Sequence, residues 1–322
     1  MHLKQYPHVS IVILNFNGYE LTSTCLQSLK ESSYPNYDVI VVDNASCDDS
    51  ISKLKKNFSH CYYIENRENL GFAGGCNVGI RHALNTGTNY VLLLNNDTVV
   101  KKDFFETAIA TAEKDDQIGI VGGKIYYYDE PTRIWSACGK ISKLRGRGVH
   151  FGHNQQDSSE YMKPREVGMV SGALMLIKRV TIEKVGLLPE VYFFGAEEWD
   201  YSVSVANAGF KLQFVPDFVV WHKVGKSHER FDPQYVYNTY RNKLLFQKRL
   251  LSTFKWKLWF AVFLLYFKII APINLKIQMK GDGEGADFGA VLEAMKMAIV
   301  DSQTMEKVSI DDIEKIGSIL CA

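Results

Sequence analysis

The stretch Tyr90-Val91-Leu92-Leu93-Leu94-Asn95-Asn96-Asp97-Thr98 decides the fold. Its first five residues are apolar, and a continuous run of this length reads as a strand buried on both faces of a parallel sheet. It then stops on two amides and a carboxylate. In open α/β sheets ligands gather beyond the carboxyl ends of the strands, which makes Asp97 a candidate ligand-facing group. The alternative is that the Asn-Asp pair only caps a following helix.

Working outward, residues 9–14 and 39–42 are two more short apolar runs, and the second ends on Asp43. Between them Leu21, Cys25, Leu26 and Leu29 recur at helical spacing, so the order is strand, helix, strand. A third run, 61–64, leads into the glycine-rich turn ENLGFAGGCNVG and a helical segment at 78–84. Beyond the opening stretch a helix is expected near 104–113 and a strand at 118–121. Strands alternating with helices of this length imply βαβ units. Three strands end in polar clusters: Asn15-Phe16-Asn17, Asp43-Asn44-Ala45-Ser46 and Asn95-Asn96-Asp97. One such ending says little; three on one edge of a sheet outline a site. After residue 126 the alternation fades, and it resumes with a strand-like 169–177, a helix-like 180–185 and the segment VYFFGAEEWDYSVSVANAGF.

The 322 residues, 46% hydrophobic and 23% charged, describe an ordinary globular protein with a sizeable core. A net charge of +1 argues against a whole-protein nucleic-acid binder, which needs a cationic excess to displace counterions. The charge is unevenly spread. Residues 226–280 carry eleven Lys/Arg against two acids, whereas 281–322 carry nine acids against three lysines. Cys25, Cys47, Cys61, Cys76, Cys138 and Cys321 occur singly, without a C-x-x-C pair or a leading secretory signal, and read as reduced thiols of a cytoplasmic protein. Gly71, Gly74, Gly75 and Gly79 invite comparison with a dinucleotide fold, but the spacing is not G-x-G-x-x-G and the turn follows the third strand, not the first.

The blocks VSIVILNFNG, VIVVDNASCDDS, ENLGFAGGCNVGI, YVLLLNNDTVV, VSGALMLIKR and FFGAEEWDYSVSVANAGF, in this order over residues 8–250, resemble the family 2 glycosyltransferases, especially their rhamnosyltransferase-like group. The resemblance implies an α/β GT-A nucleotide-diphospho-sugar transferase fold: a mainly parallel, Rossmann-like sheet flanked by helices, followed by a C-terminal helical region. Residues 1–250 would be the catalytic domain, with a nucleotide-binding half (1–125) and an acceptor half (126–250). Residues 251–322 would be a helical extension that associates with membrane or oligomerises as a homodimer.

By the same resemblance, Asp97 stands where the family binds Mn²⁺ or Mg²⁺, a hard cation suited to carboxylate and phosphate oxygens. Amides at Asn95 and Asn96 replace the family's first carboxylate, so His222, at the end of an apolar run, becomes a candidate second ligand. Asn15, Asn17, Asp43, Asn69, Gly71, Asn77, Asn96, Gly172 and Ala173 would line the dTDP- or UDP-sugar donor. Glu198 would be the base that takes the acceptor proton, and Glu197, Trp199 and Asp200 would face a glycan or polyprenyl-linked acceptor. The expected activity is inverting transfer of a sugar, with rhamnose the commonest donor sugar of the group, in cell-surface polysaccharide synthesis. A sugar nucleotidyltransferase would need a basic glycine-rich loop at the first strand, and Asn15-Phe16-Asn17-Gly18 has no cation. A non-catalytic scaffold on the same fold stays open because only one metal carboxylate is offered.

The run Leu258 to Phe267 is too short for the roughly 20 residues of a spanning helix. With its basic surroundings it reads instead as an in-plane helix on the cytoplasmic face of a bacterial inner membrane, the alternative being a buried aromatic helix or a dimer seam. Ser309 is the expected cap of a last acidic helix.

Overall fold

A computed structural model describes residues 6–223, 231–282 and 287–304, the side chains of 280–282 excepted; Ser309 and Cys321 lie outside them. The chain divides into two compact units. The first comprises residues 1–141, 148–190 and 197–224, and the second 142–147, 191–196 and 225–322.

The first unit opens with alternating elements: β1 (Val9–Asn15), α1 (Tyr19–Leu29), β2 (Tyr37–Asp43), α2 (Ser50–Asn57), β3 (Tyr62–Glu65), α3 (Gly71–Asn85) and β4 (Tyr90–Leu94). Next come β5 (Thr98–Val100), α4 (Phe104–Ala112) and the long β6 (Ile118–Tyr127), then short strands β7 (Arg133–Ser136), β8 (Gly139–Ser142), β9 (Arg147–His150), β10 (Gln155–Gln156) and β11 (Arg165–Val167). It closes with β12 (Leu174–Lys178), α5 (Arg179–Val185), α6 (Glu197–Asn207) and β13 (Lys211–His222).

Strands β3, β2, β1 and β4 pair in parallel in that order. Beyond β4 the sheet becomes mixed, since β12 runs antiparallel to both β4 and β6. All of β4 is buried, as its unbroken apolar run requires. The Asn-Asp pair at its end caps no helix: Asn95 to Asp97 turn directly into the three-residue strand β5. Because β1 pairs with β2 on one side and β4 on the other, the chain reverses its order of strand addition there, and a crevice opens at their carboxyl ends.

The fold departs from the sequence pattern at two places. The glycine-rich turn is not a turn. Helix α3 begins at Gly71, and Gly75 and Gly79 sit inside it, where an added Cβ would come 2.3 Å from Leu14 Cδ1 and 2.5 Å from Val12 Cγ1. They let the helix lie directly on β1. The strand expected at 169–177 begins only at Leu174, so Gly172 and Ala173 occupy the turn before β12.

The second unit holds α7 (Pro233–Leu250), α8 (Thr253–Ile269), α9 (Ala271–Asp282) and α10 (Phe288–Thr304). Asp232 caps α7 by accepting from the Gln234 and Tyr235 amides, with Pro233 in the first turn, where its missing N–H costs nothing. Val236 packs with Val291 and Met295, and Tyr237 with Ala294 and Ala298; the Tyr237 hydroxyl donates to Asp301 at 2.8 Å. Near the middle of α7, Arg241 donates to the Val191 carbonyl, and Asn242 to those of Phe194 and Gly195.

The pairing of β6 with β13 tolerates no side chain at Gly123: a Cβ there would stand 1.9 Å from the Phe218 carbonyl oxygen. Backbone cannot swing aside as a side chain can, so Gly123→Ala is expected to cost about 3 kcal/mol, the upper part of the overpacking range. A thermal melt should show a Tm roughly 10 °C lower, or the variant should fail to accumulate in soluble form.

Candidate functional site

Three strand ends meet through one chain of polar side chains. Asn15, at the end of β1, stands in register with Asp43 at the end of β2. Its amide donates to Asp43 Oδ1 (2.8 Å), Ser46 Oγ and Ser50 Oγ (both 3.2 Å), while its Oδ1 accepts from the Thr22 hydroxyl at 2.7 Å. Thr22 in turn accepts from the Asn96 amide at 2.9 Å, which joins the β4 end to the other two. Asp43 is buried and also receives the Ser46 amide and hydroxyl. Asn17 adopts a left-handed φ of 47° and accepts from the amide of Cys47, an exposed residue.

Beside this chain, Asn44 organises the entry to α3. Its amide donates to Asn69 Oδ1 (2.6 Å) and the Gly71 carbonyl, and its oxygen accepts from Asn66 and the Leu70 amide. Asn69 also accepts from the Gly71 N–H. The reading of Asn77 as a donor contact does not hold. Asn77 is fully buried, with both functions of its amide engaged on Leu188 and Glu190, and it braces the 188–190 loop.

On the other side of the crevice, β13 runs antiparallel to β5 and sets His222 opposite Thr98. That register carries His222 Nε2 to 2.8 Å from Asp97 Oδ1 and 3.4 Å from Asn95 Nδ2. Asp97 and His222 are respectively 12% and 8% exposed at their side chains, low values for a carboxylate and an imidazole. Asn95 Oδ1 and His222 Nδ1 are buried with no hydrogen-bond partner among the described residues, and Asp97 Oδ1, equally buried, has only His222 Nε2 beside it. Leaving such atoms unsatisfied costs about 1–3 kcal/mol each.

Two ligands at about 2.1 Å from a six-coordinate cation and at right angles are about 3 Å apart, so the Asp97–His222 separation suits neighbouring positions on one divalent ion. The residues therefore fit a cation. Among the described residues no three His, Cys, Asp or Glu side chains cluster as a metal-binding group, so Asp97 and His222 would be the carboxylate and imidazole ligands. Beneath the turn, the Cys25 thiol lies 3.7 Å from the Asn95 carbonyl, and burial pushes it up to about 12, which leaves it protonated.

Helix α6 presents its acids at its N-terminus, where the helix dipole favours them. Glu197 and Asp200, three residues apart, share the buried side, so these two expected acceptor contacts are turned inward. Glu198 and Trp199 are half-buried. A Cβ at Gly172 would lie 3.8 Å from Glu198 Cβ and 3.2 Å from Phe72, so glycine keeps the space before Glu198 open. Its neighbour Ala173 accepts the Asn95 amide at 3.2 Å, which ties the Glu198 side of the site to the Asp97 turn. Left-handed φ values at Asn17 (47°), Ala45 (64°) and Ala196 (79°) mark the loops after β1 and β2 and the residue before α6. Backbone strain of this kind costs on the order of 1–3 kcal/mol and gathers at functional sites. A separate open depression of about 660 Å³, lined by Tyr19, Asn57, Phe58 and Tyr128 among others, contains none of these strand-end side chains.

The model of glycosyl transferase family 2 matches residues 10–186, more than half of the 322. The chain belongs to this family. Among curated relatives, this family 2 glycosyltransferase is 25% identical over 257 residues to the low-salt glycan biosynthesis hexosyltransferase Agl10 of Haloferax volcanii, covering 76% of each chain. It is 22% identical to the dTDP-rhamnosyl transferase RfbF of Shigella flexneri (68% of this chain, 70% of the relative) and 24% identical to the galactofuranosyltransferase GlfT1 of Mycobacterium tuberculosis (73% and 80%). The mannosyltransferase PcManGT from Pyrobaculum calidifontis, solved with GDP-Man and Mn²⁺, superposes with a TM-score of 0.55 at 17% identity, covering 99% of this chain and 81% of that one. GalNAc-T7, solved with UDP, GalNAc and Mn²⁺, gives 0.61 at 15% identity over 97% and 57%. These two likenesses establish the GT-A fold.

Several contributors to the family 2 site were not singled out from sequence. Thr22 ties the β1 and β4 ends together, and Trp135 stands edge-on to His222 with ring centres 4.9 Å apart, whereas Asn44 and Ser46 belong to the polar cluster already read at the end of β2. Next to Trp135, His150 lies 2.7 Å from Ser136 Oγ, and burial, reinforced by His153, pushes its imidazole down from 6.5 to about 4. As pH falls the unfolded chain protonates this histidine first, so the native state loses stability between pH 6.5 and about 4, by up to about 3 kcal/mol. Urea unfolding at pH 7 and pH 4.5 should show that loss, and His150→Gln should remove a matching part of it.

Proposed function

We propose that the protein is an inverting glycosyltransferase that moves a sugar from a dTDP- or UDP-linked donor to a glycan or polyprenyl-linked acceptor in cell-surface polysaccharide synthesis, with dTDP-rhamnose the first donor to test. The observation that carries the proposal is the approach of Asp97 to His222, flanked by the Asn15–Asp43–Thr22–Asn96 chain and by Glu198 across Gly172. The relatives named as rhamnosyl, hexosyl and galactofuranosyl transferases support the reaction class, and the solved likenesses with Mn²⁺ support a divalent cation.

Asp43, Asn15 and Asn17 would receive the nucleoside end of the donor, and Asn69 with the Gly71 entry to α3 would stand near the diphosphate, where a helix N-terminus favours negative charge. Asp97 and His222 would hold Mn²⁺ or Mg²⁺. When bound, the cation neutralises charge on the departing diphosphate. Glu198 would accept the acceptor hydroxyl's proton as that oxygen attacks from the face opposite the leaving group, which inverts the sugar carbon. Glu197 and Asp200, turned inward, would fix the first turn of α6 and so the direction of Glu198; Trp199 would stack on the acceptor sugar.

Two measurements separate binding from chemistry. In a thermal-shift panel of UDP, dTDP and GDP with and without Mn²⁺, one nucleotide should stabilise the wild type only with the metal, and Asp97→Ala should erase that shift while Mn²⁺ titration by electron spin resonance shows weakened binding. Glu198→Gln should keep the nucleotide shift and lower kcat by about 10²–10⁴-fold, the usual worth of a general base. Near-normal turnover in Glu198→Gln would remove Glu198 from the mechanism, and the absence of any nucleotide shift would favour a non-catalytic role.

A further inference from the structure

Helix α8 contains no Asp or Glu and is apolar on two opposite sides, with Lys255, Lys257 and Lys268 between them. Apolar helix faces are ordinarily buried, but α8 is covered on one side only. Trp256 and Phe263 are buried against Leu244 of α7, with Trp259, Phe260 and Phe267 packed around them. The opposite side carries Phe254, Leu258, Val262, Leu265 and Ile269, and the row continues on α9 as Ile273 and Ile277. These side chains are between 58% and 79% exposed and recur every third or fourth residue across the break between the helices. Single exposed apolar residues are common on any protein; a continuous stripe over two helices marks an interaction surface.

The chemistry of the rim selects the occupant. Residues 253–279 contain Lys255, Lys257, Lys268 and Lys276 and no acid. Among the described residues no single helix is long and apolar enough to cross a membrane; α8 and α9 pass that test of length and composition only as a pair, broken by a 49° bend. Seventeen helical residues reach about 25 Å, short of a hydrocarbon core of about 30 Å. A crossing would also strip the packed side of α8 from α7. The geometry points to the exposed stripe of α8 and α9 lying in the plane of an anionic lipid bilayer, its aliphatic side chains in the acyl boundary and its lysines at the headgroups. The sequence run at residues 258–267 marks only the first half of this surface; the second half is α9. The inference stands apart from the proposed sugar chemistry, since it rests on none of the strand-end residues.

The test is flotation of the full chain with vesicles of 70% phosphatidylcholine and 30% phosphatidylglycerol, and with phosphatidylcholine alone. The wild type should float with the anionic vesicles, several-fold less with the neutral ones, and less as salt is raised, because exposed charges are screened. The triple variant L258E/L265E/I269E should lose at least ten-fold in bound fraction while keeping its melting temperature and its nucleotide response. Should that variant melt early, K255E/K257E/K268E provides the second arm, with loss of anionic-vesicle binding as the expected result. Wild-type protein that stays at the bottom with anionic vesicles overturns the inference. So does a dimer, seen by light scattering, that the triple variant turns into a monomer while vesicle binding is unaffected.

Discussion

The antiparallel register between β5 and β13 is the constraint on which the site depends. It sets His222 opposite Thr98, and the Lys223 amide donates to the Asp97 carbonyl at 2.9 Å, which fixes the backbone on either side of the Asp97–His222 contact. Strand side chains alternate faces, so a slip of one residue would send His222 away and leave Asp97 without its neighbour. Residues more than a hundred positions apart are thus held at 2.8 Å by backbone pairing. The buried atoms without a hydrogen-bond partner beside them, Asn95 Oδ1 and His222 Nδ1, belong to the turn and the strand that this pairing fixes.

The same rigidity extends through the Asn15-centred chain. Each member satisfies a neighbour across a different strand end, so three loops that would otherwise vary independently are referenced to one another. Buried networks of this sort are favourable only when every member is matched, and Asn15 is, with three donor contacts and one acceptor contact. Glycine performs the complementary task where backbone must approach something, at Gly75 and Gly79 against β1 and at Gly172 beside Glu198.

Much of this was legible in the chain itself. Strands β1, β2 and β4 announce themselves as apolar runs that stop on Asn or Asp, and parallel packing forces those stops onto one edge. The Asp97–His222 pairing was legible only through family resemblance, because nothing local to residue 97 encodes a partner on a strand so distant. Strand β5 escaped detection as three residues without a turn signature, and the short strands β7 to β11 lack the length for a period to show. The glycines of α3 are ambiguous in sequence because glycine before a helix and glycine facing a sheet look alike in one dimension. Asn77 illustrates the same limit: a buried amide bracing a loop has the same letter as one that grips a ligand.

The distribution of thiols has a practical side. Cys25, Cys61, Cys76 and Cys138 are buried, and burial holds each of them protonated, whereas Cys47 is exposed and donates its amide to Asn17 at the edge of the crevice. Among the described residues the fold has therefore sorted its cysteines into four that reagents reach only by opening the core and one that they meet first. A fluorophore carried on that sulfur would sit beside the strand-end network, making the native chain its own optical gauge of events there.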